Sequence, residues 1–257
     1  MTALRSERDG AVLRITLARP EVRNAFDAAL IAELTEAFAP DAVGDARAVV
    51  LSGEGQSFCA GADVEWQRAS IDLSYDENVE DAAKLLRMLE GIRDCPAPVV
   101  CRAHGYVLGG GSGLAACADT TVAAPDAVFG FTEVKLGIIP AVISPMVLSK
   151  IGSRARRYFT TGERFNAETA LGIGLVDEVA EDSEAAVERI VGALLTSGAA
   201  AAREAKRLVL EPPARDDLPH VAARMRTSPE GQEGLRAFLD KREAEGGWGV
   251  YAKPPER

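Results

Sequence analysis

The chain is poor in the residues on which several common chemistries depend. It holds two histidines in 257 residues, His104 and His220, far apart in sequence, which excludes a histidine-rich zinc site; no metal is expected. The four cysteines, Cys59, Cys95, Cys101 and Cys117, form no C-x-x-C pair, so reduced, mostly buried thiols are the expected state. No apolar run approaches the roughly 18–20 residues of a membrane span, and no membrane partner is expected. The first ten residues, Met1 to Gly10, lack the apolar stretch of a secretory leader, which makes a cytoplasmic location the expectation. Positive charge is scarce as well: 29 Lys and Arg stand against 39 Asp and Glu, a formal net charge of −10. Nucleic-acid binding wants a basic field and is not expected, although a few local cations would suffice for a small polyanionic ligand.

What is there suits a globular protein of one large domain, or a domain with a small appendage, at 47% hydrophobic and 26% charged residues. The densest signal lies between His104 and Glu133. Gly109, Gly110 and Gly111 are consecutive, with Gly105 before them and Gly113 after. Leu114 to Ala118 then forms a small, apolar run suited to a buried helix. The glycines are therefore expected where a loop enters a helix N-terminus, whose free N–H groups and dipole receive negative charge. A dinucleotide loop would need a sixth-position glycine where Leu114 or Ala116 stands, and the Gly-Lys-Ser/Thr of a P-loop is absent. Close helix packing is the plain alternative. A second glycine-bearing loop, Ser57-Phe58-Cys59-Ala60-Gly61-Ala62-Asp63, follows the strand-like run Arg47 to Ser52. Two such loops can aim one N–H each at a single oxygen, an oxyanion hole.

Val12 to Leu17 alternates as a strand, with Leu13, Ile15 and Leu17 on one face and the Asp9-Gly10 turn before it. Asp27 is a cap for a helix carrying Leu30, Ile31, Leu34 and Phe38, ended by Pro40. With Arg47 to Ser52 this makes a strand–helix–strand unit and a parallel pair. Trp66 to Asp76 is unpatterned and reads as a mobile connection. Asn78 to Ile92 is an amphipathic helix with Val79, Ala82, Leu85, Leu86, Leu89 and Ile92 on its apolar face. Strands are expected at Val99 to Cys101, Thr120 to Ala123 and Val176 to Val179. Helices are expected at Met146 to Ile151, Arg154 to Thr160 and Ala167 to Leu171, the last capped by Asn166 and stopped by Gly172 and Gly174. From Ser183 the chain is almost entirely helix-forming and short of large apolar residues for a core of its own. Pro254-Pro255 is expected to close a frayed tail.

Taken together, Arg19-Pro20 to Asn24-Ala25, Phe58 to Asp63, Gly105 to Asp119, Phe129 to Pro140 and Gly172 to Val176 resemble the enoyl-CoA hydratase/isomerase (crotonase) superfamily over nearly the whole chain. The resemblance implies an α/β fold, a crotonase-like spiral of β-β-α turns over residues 1–182, with a C-terminal helical trimerisation region over 183–257. It implies that Ala62 and Gly110 supply oxyanion N–H groups to a thioester and that Glu133 is the catalytic carboxylate. Among Phe129, Phe131, Val134 and Leu136 such a carboxylate would be partly desolvated and its pKa raised; a salt bridge at a helix start is the plain alternative. Arg23, Ala60, Asp63, Val64, Gly109, Gly113 and Pro140 are implied to line the acyl-CoA site. Phe238 and Lys241 are implied to reach coenzyme A, often that of a neighbouring subunit in a homotrimer or homohexamer. Coenzyme A is here part of the substrate, and no separate cofactor is implied.

One position departs from the family pattern. Typical hydratases carry a second glutamate where this chain has Gly113. A single acid also serves Δ3,Δ2-enoyl-CoA isomerases, and a non-catalytic acyl-CoA-binding homologue would need neither. A finer likeness, over Trp66 to Asn78, Glu133 to Leu148 and Arg156 to Phe159, is to bacterial methylglutaconyl-CoA and isohexenylglutaconyl-CoA hydratases. It implies a lyase hydrating a conjugated thioester with a distal carboxylate, with a place in branched-chain catabolism. Water in the space left at Gly113 is one expected aid to such hydration.

Overall fold

The computed structural model describes residues 2–253; the Pro254-Pro255 tail lies outside them. Two strands, β1 (Leu4–Asp9) and β2 (Val12–Leu17), form a hairpin about the Gly10 turn, where φ is +56°. Next comes α1 (Ala28–Ala37), whose cap is Asp27, its carboxylate accepting from Leu30 N–H at 2.8 Å. Pro40 does not end this helix: α1 closes at Phe38, and Pro40 opens the short α2 (Pro40–Val43), where its missing N–H costs nothing. β3 (Ala48–Gly53) then pairs parallel with β2, Val12 opposite Ala48, as the strand–helix–strand pattern requires.

The segment after Asp63 is helical where an unpatterned connection was expected. α3 (Val64–Ser70) starts from Asp63, whose carboxylate accepts from Glu65 N–H at 2.9 Å. With Val64 and Ile71 exposed there is no apolar face for the pattern to register. α4 (Tyr75–Arg93) begins earlier than its apolar periodicity, at a reciprocal capping box between Ser74 and Glu77. Its C-terminal half is the anchored part: Met88, Leu89 and Ile92 are buried, while Val79 is half-exposed.

β4 (Val99–Ala103) leads into β5 (Tyr106–Leu108) and α5 (Gly110–Cys117). β6 (Thr120–Ala123) leads into β7 (Val128–Gly130) and a 3-10 turn over Thr132–Leu136. There follow α6 (Ser144–Ile151), α7 (Ala155–Thr161), β8 (Arg164–Asn166), α8 (Ala167–Ile173) and β9 (Glu178–Val179). Asn166 caps α8 through Thr169 N–H at 3.0 Å; Gly172 lies within the helix and only Gly174, at φ +86°, stops it. The chain ends in α9 (Ser183–Leu195), α10 (Ala199–Leu210), α11 (Leu218–Thr227) and α12 (Pro229–Asp240).

Among the described residues the strands make a six-stranded sheet, β1-β2-β3-β4-β6-β9, and a three-stranded one, β5-β7-β8. Beyond the hairpin the large sheet is parallel. Successive turns repeat one plan. A strand in the large sheet is followed by a strand or bridge at the level of the small sheet, then by a helix. Thus β2 precedes the Phe26–Ala62 bridge and α1, β3 precedes the Cys59–Val107 bridge and α3, and β4 precedes β5 and α5. This is a spiral of β-β-α turns.

The large sheet is buried on both faces, with alternate residues serving each. Leu13, Ile15, Leu17, Val49, Leu51, Val99 and Cys101 face the main core with α1, α4 and α5. Val12, Ala48, Val50, Val100 and Val122 face the other way, where Ala186, Val187 and Val191 of α9 cover them. All four cysteines are free and buried, as expected, and burial pushes the Cys59 and Cys101 thiols up to about 12. No single helix among the described residues is long and apolar enough to cross a membrane.

Candidate active site

The two glycine-bearing loops meet. Leu108 N–H donates to Cys59 O at 3.0 Å, and Cys59 N–H to Tyr106 O at 3.1 Å. The approach is too close for side chains: a Cβ on Gly111 would stand 2.3 Å from Cys59 O, and one on Gly110 2.8 Å from the Phe26 ring. Phe26 is in turn bridged to the second loop, its N–H donating to Gly61 O at 2.7 Å and its carbonyl accepting from Asp63 N–H at 2.7 Å. That pattern uses the carbonyl before Ala62 and the N–H after it, so the Ala62 N–H is left out of the ladder. Gly110 is the first residue of α5, and its N–H is one of the donors a helix start leaves unpaired. Ser112 secures the helix start, its hydroxyl donating to Val107 O at 2.6 Å. Close packing and free donors thus coexist here, and the same glycines serve both.

Asn24 holds the loops in place. It is fully buried at φ +54°, accepts from Arg19 N–H at 2.8 Å and donates to Glu54 O and Ser57 O at 2.9 and 2.8 Å. Arg19 adds ion pairs to Asp27 at 2.9 Å and Asp63 at 3.2 Å. Neither residue was singled out individually in the sequence, although both fall in the Arg19 to Ala25 motif.

Glu133 stands on the 3-10 turn after β7 and packs against Gly109, where an added Cβ would lie 3.2 Å from its Oε1. Gly109 has φ +51° and ψ −119°, a conformation reserved for glycine. Its N–H donates to Gly130 O at 2.8 Å, tying the glycine loop to β7. Glu133 makes no salt bridge among the described residues, and its Oε2 is buried with no hydrogen-bond partner. Burial holds its pKa above the usual carboxylate value, partly offset by a hydrogen bond to its own backbone. Phe129 and Phe131, shortly before it in the chain, are buried, Phe131 edge-on to Phe159 at 4.9 Å. Leu136, expected to shield it, is exposed.

Two clefts flank this junction, and Trp66 of α3 lines both. The wider, of about 970 Å³, is lined by Arg19, Arg23, Ala60, Ala62, Asp63 and Val64. The narrower, of about 250 Å³, takes in Gly110, Glu133, Pro140 and Ile143. Arg23, at φ +54°, lies over the Tyr106 ring at 5.3 Å, and Arg164 lies over the same ring at 5.5 Å. His104 lines neither cleft; its Nε2 is 3.0 Å from Gly55 O.

Two expectations are revised, both at Gly113. Gly113 touches neither cleft, because Ile143 covers it: a Cβ on Gly113 would stand 2.4 Å from Ile143 Cγ2. The space expected there for water is filled by a buried aliphatic side chain. Phe238 and Lys241 lie outside both clefts of this chain, as residues expected to reach a neighbouring subunit's coenzyme A can; half-exposed Phe238 stacks on Tyr251 at 6.3 Å, and Lys241 ends α12 at φ +55°. Trp66, Ile143 and Asp81, none offered as a site residue, line the narrow cavity. The one hint was that the connection from Trp66 to Asp76 was expected to run beside the acyl pocket.

A family model described as enoyl-CoA hydratase/isomerase matches residues 7–247. The chain is 35% identical over 253 residues to the cyclohexa-1,5-dienecarbonyl-CoA hydratase of Thauera aromatica, with 93% of each covered. It is 32% identical over 255 residues to the crotonyl-CoA hydratase of Syntrophomonas wolfei, with 94% of this chain and 95% of the relative covered. Among solved structures, an enoyl-CoA hydratase from Shewanella pealeana matches with a TM-score of 0.88 at 35% identity over 95% of both chains.

Proposed function

We propose that this chain, which belongs to the enoyl-CoA hydratase/isomerase family, is a hydratase that adds water across the conjugated double bond of a 2-enoyl-CoA thioester. The observation that carries the reading is Glu133. A buried, unpartnered carboxylate oxygen stands beside a helix start and a loop that each offer a free N–H. Ala62 and Gly110 N–H groups receive the thioester oxygen and hold it more strongly as it becomes an enolate. One such donor is worth about 3–4 kcal/mol in a transition state. As water oxygen bonds to Cβ, the Glu133 carboxylate accepts a proton from it. The electrons of the C=C bond move toward the held oxygen. Protonated Glu133 then returns the proton to Cα, so the thioester gains H and OH and the enzyme is restored. One acid suffices for both transfers, which fits a site whose second acid position is closed by Ile143.

The wider cleft would take coenzyme A, with Arg23 toward its phosphates. Phe238 and Lys241 would act on coenzyme A held by a neighbouring subunit, in a homotrimer or homohexamer built largely through the C-terminal helices. A cytoplasmic location belongs to the same reading. The finer resemblance to methylglutaconyl-CoA hydratases would bring a distal carboxylate into a cavity whose charged lining groups, Asp81 and Glu133, are both acids. The reading supported best therefore stops at a conjugated 2-enoyl-CoA. The lone acid also favours a second reading, Δ3,Δ2-enoyl-CoA isomerisation, since a proton shift needs one base that returns its proton.

Mass-resolved turnover of crotonyl-CoA, a 3-enoyl-CoA and 3-methylglutaconyl-CoA separates these. Hydration appears as a product heavier by one water, and Glu133→Gln should lower it by about 10²–10⁴-fold. A mass-neutral shift of the 3-enoyl chain with no hydration of any substrate would make the enzyme an isomerase. Unchanged activity in Glu133→Gln would remove Glu133 from the mechanism.

A further inference from the structure

Part of the lining of the narrow cavity is polar. Gln67 and Ser70 of α3 and Asn78 and Asp81 of α4 line it, and no Lys or Arg among the described residues does. Most of the polar atoms are already engaged. Ser70 Oγ donates to Gln67 O at 2.7 Å. Asn78 Nδ2 donates to Leu73 O and Ser74 O, both at 3.1 Å, which leaves its Oδ1 as an acceptor. Of the other acids on this stretch of α4, Glu77 is engaged with Ser74 and Glu80 with Lys84 at 3.5 Å, and Asp76 is exposed and does not line the cavity. Asp81 differs from them: it is half-buried, lines the cavity and makes no hydrogen bond or ion pair among the described residues. The Gln67 side-chain amide is likewise without a partner among the described residues.

We infer that Asp81 and Gln67 form a specificity subsite that disfavours an acyl chain ending in a carboxylate and accepts one ending in a neutral hydrogen-bond donor, a hydroxyl above all. The inference rests on the narrow cavity receiving the acyl chain. An incoming carboxylate would join two resident acids in a partly apolar space with no cation to offset it, and like charges so placed repel strongly. A terminal hydroxyl instead donates to Asp81 and accepts from the Gln67 amide, which satisfies both with neutral chemistry. A plain alkyl end is tolerated, because Asp81 keeps its access to water.

The test uses saturated thioesters, which cannot be hydrated, so that binding is read apart from catalysis. Hexanoyl-CoA, 6-hydroxyhexanoyl-CoA and the ω-carboxylated adipyl-CoA are titrated calorimetrically into wild type, Asp81→Asn and Gln67→Leu, each first shown to melt as a folded protein. Wild type should bind the hydroxylated chain about tenfold or more tightly than the carboxylated one. Asp81→Asn should reduce that ratio to a few-fold by improving adipyl-CoA, and Gln67→Leu should weaken the hydroxylated chain selectively. Equal or tighter binding of adipyl-CoA by wild type, or an unchanged ratio in Asp81→Asn, overturns the subsite. Turnover of the matched 2-enoyl thioesters reports separately on the hydratase reading. Loss of hydration with the binding ratios intact would sink that reading and leave the subsite standing.

Discussion

Burial without a partner at Glu133 Oε2 raises the carboxyl pKa above its ordinary value of 4.5, and this has consequences for both stability and rate. The native state keeps its proton at pH values where the unfolded chain has already released it. The unfolded state then binds fewer protons, so stability falls as pH rises from about 4.5 through the raised native value. Glu133→Gln, which cannot ionise, should be more favourable relative to wild type at pH 7 than at pH 4. Urea midpoints at the two pH values measure this, and an equal difference at both would mean that Glu133 is not desolvated. The proposed mechanism needs ionised Glu133 in the free enzyme, so kcat/KM should decline on the acid side with an apparent pKa above 4.5.

Between elements, the decisive contact is the one that seats Ile143, at the entrance to α6, on Gly113 of α5. Restoring the second glutamate by Gly113→Glu forces a Cβ to within 2.4 Å of Ile143 Cγ2, in a place where both residues are buried. Overpacking of this kind costs about 1–3 kcal/mol. Urea denaturation should show Gly113→Glu destabilised by that order and Gly113→Glu/Ile143→Ala partly recovered. If the single substitution is neutral, the two helices yield more easily than their packing suggests. The contact also separates two ideas that are indistinguishable in the sequence. A missing acid can leave a vacancy for water or a surface that something else has taken over, and here it is the latter.

Across the whole molecule, the helical layers differ in how fully they are used. α9 is a core helix, with Val187 and Val191 buried against the large sheet. α10 and α11 bury no residue, and α12 buries only Ala237. Leu208, Val209, Leu218, Leu235, Phe238 and Leu239 stand exposed across them. The proposed homotrimer or homohexamer would cover apolar side chains of this kind. Sedimentation equilibrium should give three or six times the 27.2 kDa of one chain, and Phe238→Asp should lower the assembled fraction. A monomer at micromolar concentration would remove both the assembly and the proposed contribution of Phe238 and Lys241 to a neighbour's coenzyme A.

What the sequence by itself determined was whatever obeys local rules. Alternation in β2 placed Leu13, Ile15 and Leu17 on one buried face. Asp27 and Asn166 marked helix starts because a short polar side chain can reach an unpaired N–H. The glycine loop and the apolar neighbours of Glu133 were legible because glycine licenses close approach and phenylalanines exclude water. Those neighbours pointed to the direction of the Glu133 pKa but not to which of them would be buried, since Phe129 and Phe131 are and Leu136 is exposed. Tertiary structure decided everything that depends on partners distant in the chain. The Phe26 bridge leaves the Ala62 N–H unpaired, Ile143 closes Gly113, and α3 brings Trp66 between the clefts. Asp81 is the plainest case. On α4 it is one acid in an acidic stretch, and only the packing that turns it toward the cavity while Glu77 and Glu80 find partners elsewhere sets it apart.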